Sequence, residues 1–250
     1  MKNIMHSEFY KVLKSKVTWV TLFVFLGMAA MQIVSVIYAK IKAGDWEMIL
    51  KDTGISVFSS YPSGTLYFVL VALFVGGHVT SEYTTGTVKQ VVSRGVARTQ
   101  IVVGQFVALC VAMTVITLIP ALILAGVYTI AWGFGGISLG RFLLLLAGQI
   151  VVIWSYVAIS MLIGHITRSG GLSVGVNLII LLIGSMATSI ASVLLGWEWV
   201  SDYWLTTMQN YALTYSVGAG TQSKYILLLL LVGAAATGMS MLVFEKRDVQ

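Results

Sequence analysis

Six apolar stretches of about 20 or more residues run through this chain, and no other feature limits its possible folds so sharply. They cover about Thr18 to Ala39, Ser63 to Thr80, Phe106 to Trp132, Phe142 to Ile166, Leu172 to Leu195 and Tyr225 to Phe244. A helix rising about 1.5 Å per residue needs about 20 residues to cross roughly 30 Å of hydrocarbon. The expectation is an all-α integral membrane protein, a single transmembrane domain over residues 1–250 with spans at 18–39, 63–80, 106–132, 142–166, 172–195 and 225–244. Composition agrees, since 58% of the 250 residues are apolar and 10% are charged, where soluble domains carry about 25% charge. Mean hydropathy is +0.93.

The first stretch follows basic residues as a secretion signal would. Its apolar core is too long for one, and Tyr38-Ala39-Lys40 lacks the small-x-small pattern of a cleavage site, so it reads as a retained helix. Pro62 stands where a helix would start, and Pro120 lies inside the third span and should kink it. Cys110 has no partner cysteine in the chain, which excludes a disulfide framework and a thiolate metal cluster.

Basic residues set orientation. With the N-terminus inside, Lys2, Lys11, Lys14, Lys16, Lys89, Arg94, Arg98, Arg168, Lys246 and Arg247 face the cytoplasm. Lys40, Lys42, Lys51, Arg141 and Lys224 lie outside, offset there by Asp45, Glu47, Asp52, Glu198 and Asp202. Both termini are then cytoplasmic. The net charge of +6 is inside charge, suited to an anionic lipid surface and not to nucleic acid. The expected location is the bacterial cytoplasmic membrane.

Three segments outside the spans carry information. In residues 1–17, Met5, Phe9, Val12 and Leu13 fall at helical spacing with Ser7, Lys11 and Lys14 around them, which predicts an amphipathic helix over Asn3 to Lys16; the alternative is a plain topology signal. The cytoplasmic loop 81–99 is short and polar. Thr85, Val88, Val91 and Val92 suit a short helix from about Thr87 to Gly95, with Glu82 free to take a basic partner. Either it docks a partner or it is a solvated loop. Before the last span, Trp197, Trp199, Tyr203, Trp204, Tyr211 and Tyr215 form an aromatic belt or an outer gate, with short re-entrant or interfacial helices.

This order resembles the permease subunits of type-2 ATP-binding-cassette exporters, such as the bacterial peptide, lantibiotic and bacitracin-type permeases. The resemblance rests on Glu82 with Tyr83, Gly86 with Thr87, Arg94 with Arg98, and the closing Phe244-Glu245-Lys246-Arg247-Asp248. It implies that Glu82 to Arg98 carries a coupling helix seated in a separate ATPase subunit. ATP and Mg would then be bound by that partner, and a second permease copy or a related permease would complete the translocation path. The chain has no Gly-x-x-x-x-Gly-Lys-Ser/Thr phosphate cradle of its own.

No acid occupies the middle of a span, which disfavours a proton-coupled carrier. His78 and His165 fall near the expected cytoplasmic ends. Asn177, Gly184, Ser185, Thr188 and Ser192 share a face of the fifth span, either for helix packing at a dimer interface or as a weakly polar path wall. Gly171-Leu172-Ser173-Val174-Gly175 matches a nucleophile elbow, but it opens a membrane helix and no acid follows to orient a histidine, so no catalytic or metal site is expected. Scarce buried charge points to an amphipathic peptide as cargo, with a lipid or glycolipid second. A non-transporting membrane scaffold or sensor is the alternative from another class.

Overall fold

The computed structural model describes residues 2–42, 52–61, 65–87, 93, 95 and 97–246. Pro62, Arg94, the centre of the expected 87–95 helix and the tail from residue 247 lie outside them. Among the described residues, regular structure is entirely helical. In chain order the helices are α1 (Lys2–Lys14), α2 (Lys16–Lys42), α3 (Gly54–Ser60), α4 (Thr65–Thr84), α5 (Arg98–Trp132), α6 (Leu139–Thr167), α7 (Gly170–Leu195), α8 (Glu198–Asp202), α9 (Leu205–Leu213) and α10 (Ala219–Lys246).

Five of these, α2, α5, α6, α7 and α10, are long and apolar enough to cross a membrane. The remaining expected span falls on α4, whose 20 residues reach about 30 Å, but its last turns carry His78, Ser81, Glu82 and Thr84. The spans expected from apolar runs are extended at their ends, because capping groups let polar residues join the helix. Ser138 accepts from the Arg141 amide before α6, and Gly196 ends α7 in the left-handed conformation. The first expected helix stops at Lys14, where Ser15 accepts from the Val17 amide and starts α2.

Among the described residues the largest of three apolar clusters is built on α4, α5, α6 and α10, with Phe74, Leu109, Met113, Ile153, Met161 and Leu229 fully enclosed. α6 and α10 form its longest contact. Gly233 brings their backbones together, since a Cβ there would meet Ser155 at 3.2 Å, and Ser155 donates to the Leu229 carbonyl. α2 and α7 flank this core with most of their surface exposed.

One helix was not anticipated. α3 sits in the segment between the first two runs, capped by Thr53 and buried through Ile55, Val57 and Phe58 against α5. Gly54 permits the approach, because a Cβ there would stand 2.7 Å from the Ala125 carbonyl. α8 and α9 are the short helices expected before the last span, and α9 packs on α10 and α6.

Candidate functional site

Ile4, Glu8 and Val12 recur every four residues and therefore share one face of α1. That face lies on α5, where Gly104 meets the Ile4 side chain and the Glu8 stem. Glu8 and Val12 are each 4% exposed. A carboxylate in such a place needs partners. Lys11 Nζ stands 2.6 Å from Glu8 Oε1 and 2.9 Å from Glu82 Oε1, and Gln105 of α5 donates its Nε2 to Glu82 Oε2. The basic partner anticipated for Glu82 is thus Lys11, from α1.

Two carboxylates around one ammonium leave a negative charge uncompensated when all are ionised. Burial, and then the neighbouring charge of Glu82, push the Glu8 carboxyl up from 4.5 to about 7 against the pull of Lys11. Burial lowers the Lys11 ammonium, yet Glu82 and Glu8 together hold it above its ordinary value. Beside the three lies a cavity of about 240 Å³, also bounded by His78, Thr85 and Gln105. Gln105 Oε1 is buried there and has no hydrogen-bond partner among the described residues.

His78 ties the same junction to the start of α2. Its Nδ1 is 2.8 Å from the Phe74 carbonyl and its Nε2 3.2 Å from Thr18 Oγ1, while the Thr18 hydroxyl donates to the Val12 carbonyl.

Tyr83, one position on from Glu82, turns to the other side of α4 and enters an aromatic cluster. Its hydroxyl is 2.8 Å from His165 Nδ1 at the end of α6, and the Arg168 guanidinium lies 5.4 Å above its ring. Phe244 of α10 makes edge contacts with both Tyr83 and His165. Arg98, which opens α5, donates to the Glu245 carbonyl at 2.8 Å.

The segment expected as a loop from Ser81 is helical through Thr84. Thr80, Ser81 and Thr84 donate to carbonyls of their own helix, and the buried Glu82 anchors that last turn. Gly86 then leaves the helix at φ 67 and its amide donates to the Tyr83 carbonyl, while Thr87 donates to the Glu82 carbonyl. Gly95 also has positive φ. Of the six expected coupling residues, Glu82, Tyr83, Gly86, Thr87 and Arg98 are therefore gathered at one end of the bundle, and Arg94 lies outside the described residues.

The other expected sites are dispersed. Asn177 is buried and accepts from Ser160 of α6 at 3.1 Å, and Thr188 is buried too. Ser185 and Ser192 donate within α7. Trp204 lies close against Gly184, apart from the exposed Trp197 and Trp199. Ser173, the serine of the Gly-x-Ser-x-Gly match, is buried against Gly76 and Gly164.

Glu8, Lys11 and Gln105 do not stand out in the sequence as site residues. The available signal was an acid midway between Ile4 and Val12 on an otherwise apolar face. A family model described as a protein of unknown function (DUF2705) matches residues 47–250. No curated protein matches the chain.

Proposed function

We propose that this chain, which belongs to the DUF2705 family, is the permease subunit of an ATP-driven exporter in the bacterial cytoplasmic membrane. It crosses six times, α4 being the remaining span, with α1 in the cytoplasmic interface and both termini inside. A separate ATPase binds the segment from Glu82 to Arg98, and two permeases enclose the path.

One observation carries this reading. The segment leaves α4 between two side-chain clusters that join it to α1, α5, α6 and α10, so a push on it reaches four other helices at once. A loop that served only to connect two spans needs neither cluster. Movement of the Glu82 side of α4 pulls on α1 through Lys11, and movement of the Tyr83 side pulls on α6 and α10.

The cargo is an amphipathic peptide. The lipid or glycolipid reading has its own support in an apolar groove of about 420 Å³ between α5, α6 and α10, lined by Phe106, Val151, Trp154, Leu230 and Met241. The scaffold reading leaves both clusters without a purpose.

The test is co-purification in mild detergent from native membranes, comparing tagged wild type with an Arg94→Glu, Thr87→Lys double variant. The expected result is an ATPase subunit retained by the wild type and lost from a variant that elutes as a folded monodisperse species. Folded wild type that brings no ATPase would end the exporter assignment.

A further inference from the structure

We propose that Glu8 and Glu82 form a carboxyl–carboxylate pair that binds a single proton, and that this proton seats α1 against α4 and α5. The inference concerns how the bundle end is held closed, and it stands whether or not an ATPase binds there.

The geometry argues for it. Both acids are buried, Glu8 at 4% and Glu82 at 9% exposure, and both reach the same ammonium at 2.6 and 2.9 Å. One lysine neutralises one carboxylate. The second negative charge sits in a cavity of about 240 Å³ whose other described walls supply no second ammonium or guanidinium. From its own helix Glu8 faces Lys11; from α4 it faces Glu82 and His78; from α5, Gln105. Ser15 at the α1–α2 join and Thr85 and Thr87 beyond α4 complete the polar lining. His78 is held by Phe74 and Thr18.

Gln105 supplies a second observation. Its Nε2 is committed to Glu82, which fixes Oε1 as an acceptor, and that buried oxygen has no donor among the described residues. A protonated carboxyl on the cavity wall is a donor, and an ionised one is not. Adding one proton therefore removes the excess charge and supplies the missing kind of hydrogen-bonding group.

The sign follows from the upward shift of Glu8, from 4.5 to about 7. A raised carboxyl favours the seated state fully below the ordinary value, and that contribution is lost as pH rises through the shifted one. α1 is then held most firmly in acid and loosens on passing neutrality, when the proton goes to solvent and two carboxylates share Lys11.

The experiment uses the full chain in lipid nanodiscs. Infrared difference spectra follow the protonated-carboxyl band from about pH 5 to about pH 9, for wild type, Glu8→Gln and Glu82→Gln. The wild type should lose about one protonated carboxyl per chain with a midpoint near pH 7. Either variant should abolish that step, because the remaining acid pairs alone with Lys11. Loss of the step in both variants supports the pair; a step that survives in either variant overturns it. Amide hydrogen exchange on wild type alone covers variants that do not fold. Corrected for intrinsic rates, protection of residues 4–14 should fall by about tenfold relative to α10 between about pH 6 and about pH 8, a loss of the size one proton can impose. Unchanged protection across that range overturns the proposal equally.

Discussion

The two ends of the bundle are fastened by different chemistry. At the α1 end the ties run mostly between side chains, Lys11 to two acids, Gln105 to Glu82 and Tyr83 to His165, beside the grips of Arg98 and Thr18 on backbone carbonyls. At the opposite end, long polar side chains grip backbone carbonyls. Arg141 donates to the carbonyls of Tyr215 and Val217, Gln222 to that of Ala212 at the end of α9, and Gln149 to that of Phe58 in α3. A carbonyl at a helix terminus lacks an intrahelical donor and keeps its place at any pH. Side-chain pairs exchange partners when a proton or a neighbour moves. The first arrangement suits an end that changes state, and the second suits short helices that must stay put.

The sharpest test of that contrast is Lys11→Met. It strands two buried carboxylates and should destabilise the chain by about 3 to 5 kcal/mol, read as the midpoint of heat-induced loss of monodisperse protein in detergent. The deficit should shrink in acid, where Glu8 carries its proton. A second change, Glu8→Gln, should restore much of the stability lost by Lys11→Met.

Gln222→Leu attacks the opposite end. It removes the donor to the Ala212 carbonyl and should cost about 1 to 3 kcal/mol in the same assay, with no dependence on pH. A pH-dependent loss there would erase the distinction between the two ends.

Tyr83→Phe deletes one hydroxyl facing His165 and keeps the ring packing on Phe244. It should cost about 1 kcal/mol. Ser185→Ala, at a hydroxyl that donates within its own helix, should change stability by less than about 0.5 kcal/mol. A large loss at Ser185 would mean that this face of α7 is an interface.

Much of this was legible in the chain. Long apolar runs impose helices of a set length, and a polar interruption between them marks a segment outside. Glu82 and Tyr83 stood out because an acid and an aromatic end an apolar run. Glu8 was hidden, since charge patterning treats an acid among lysines as a solvated partner, and only the packing of α1 on Gly104 buries it. α3 was missed for a related reason: seven residues are too few to show a period, and what makes them helical is Thr53 at the cap and α5 beneath. Ser185 and Ser192 share a face with Asn177, but spacing does not say which helix lies opposite. That depends on how α7 is turned, which Asn177 settles by bonding Ser160.

α5 is 35 residues long, about 50 Å end to end at about 1.5 Å per residue. It begins at Arg98, beside the tail of α10, and carries α3 near its far end through Ala125 and Thr129. A tilt of such a rod by about 5° about one end would displace the other by about 4 Å over that length. Pro120 interrupts its backbone ladder roughly two-thirds of the way along and places a soft joint before the α3 contact. In the proposed exporter the stroke reaching α3 would then depend on the stiffness of one residue, and Pro120→Ala would lengthen the rigid arm without touching either end.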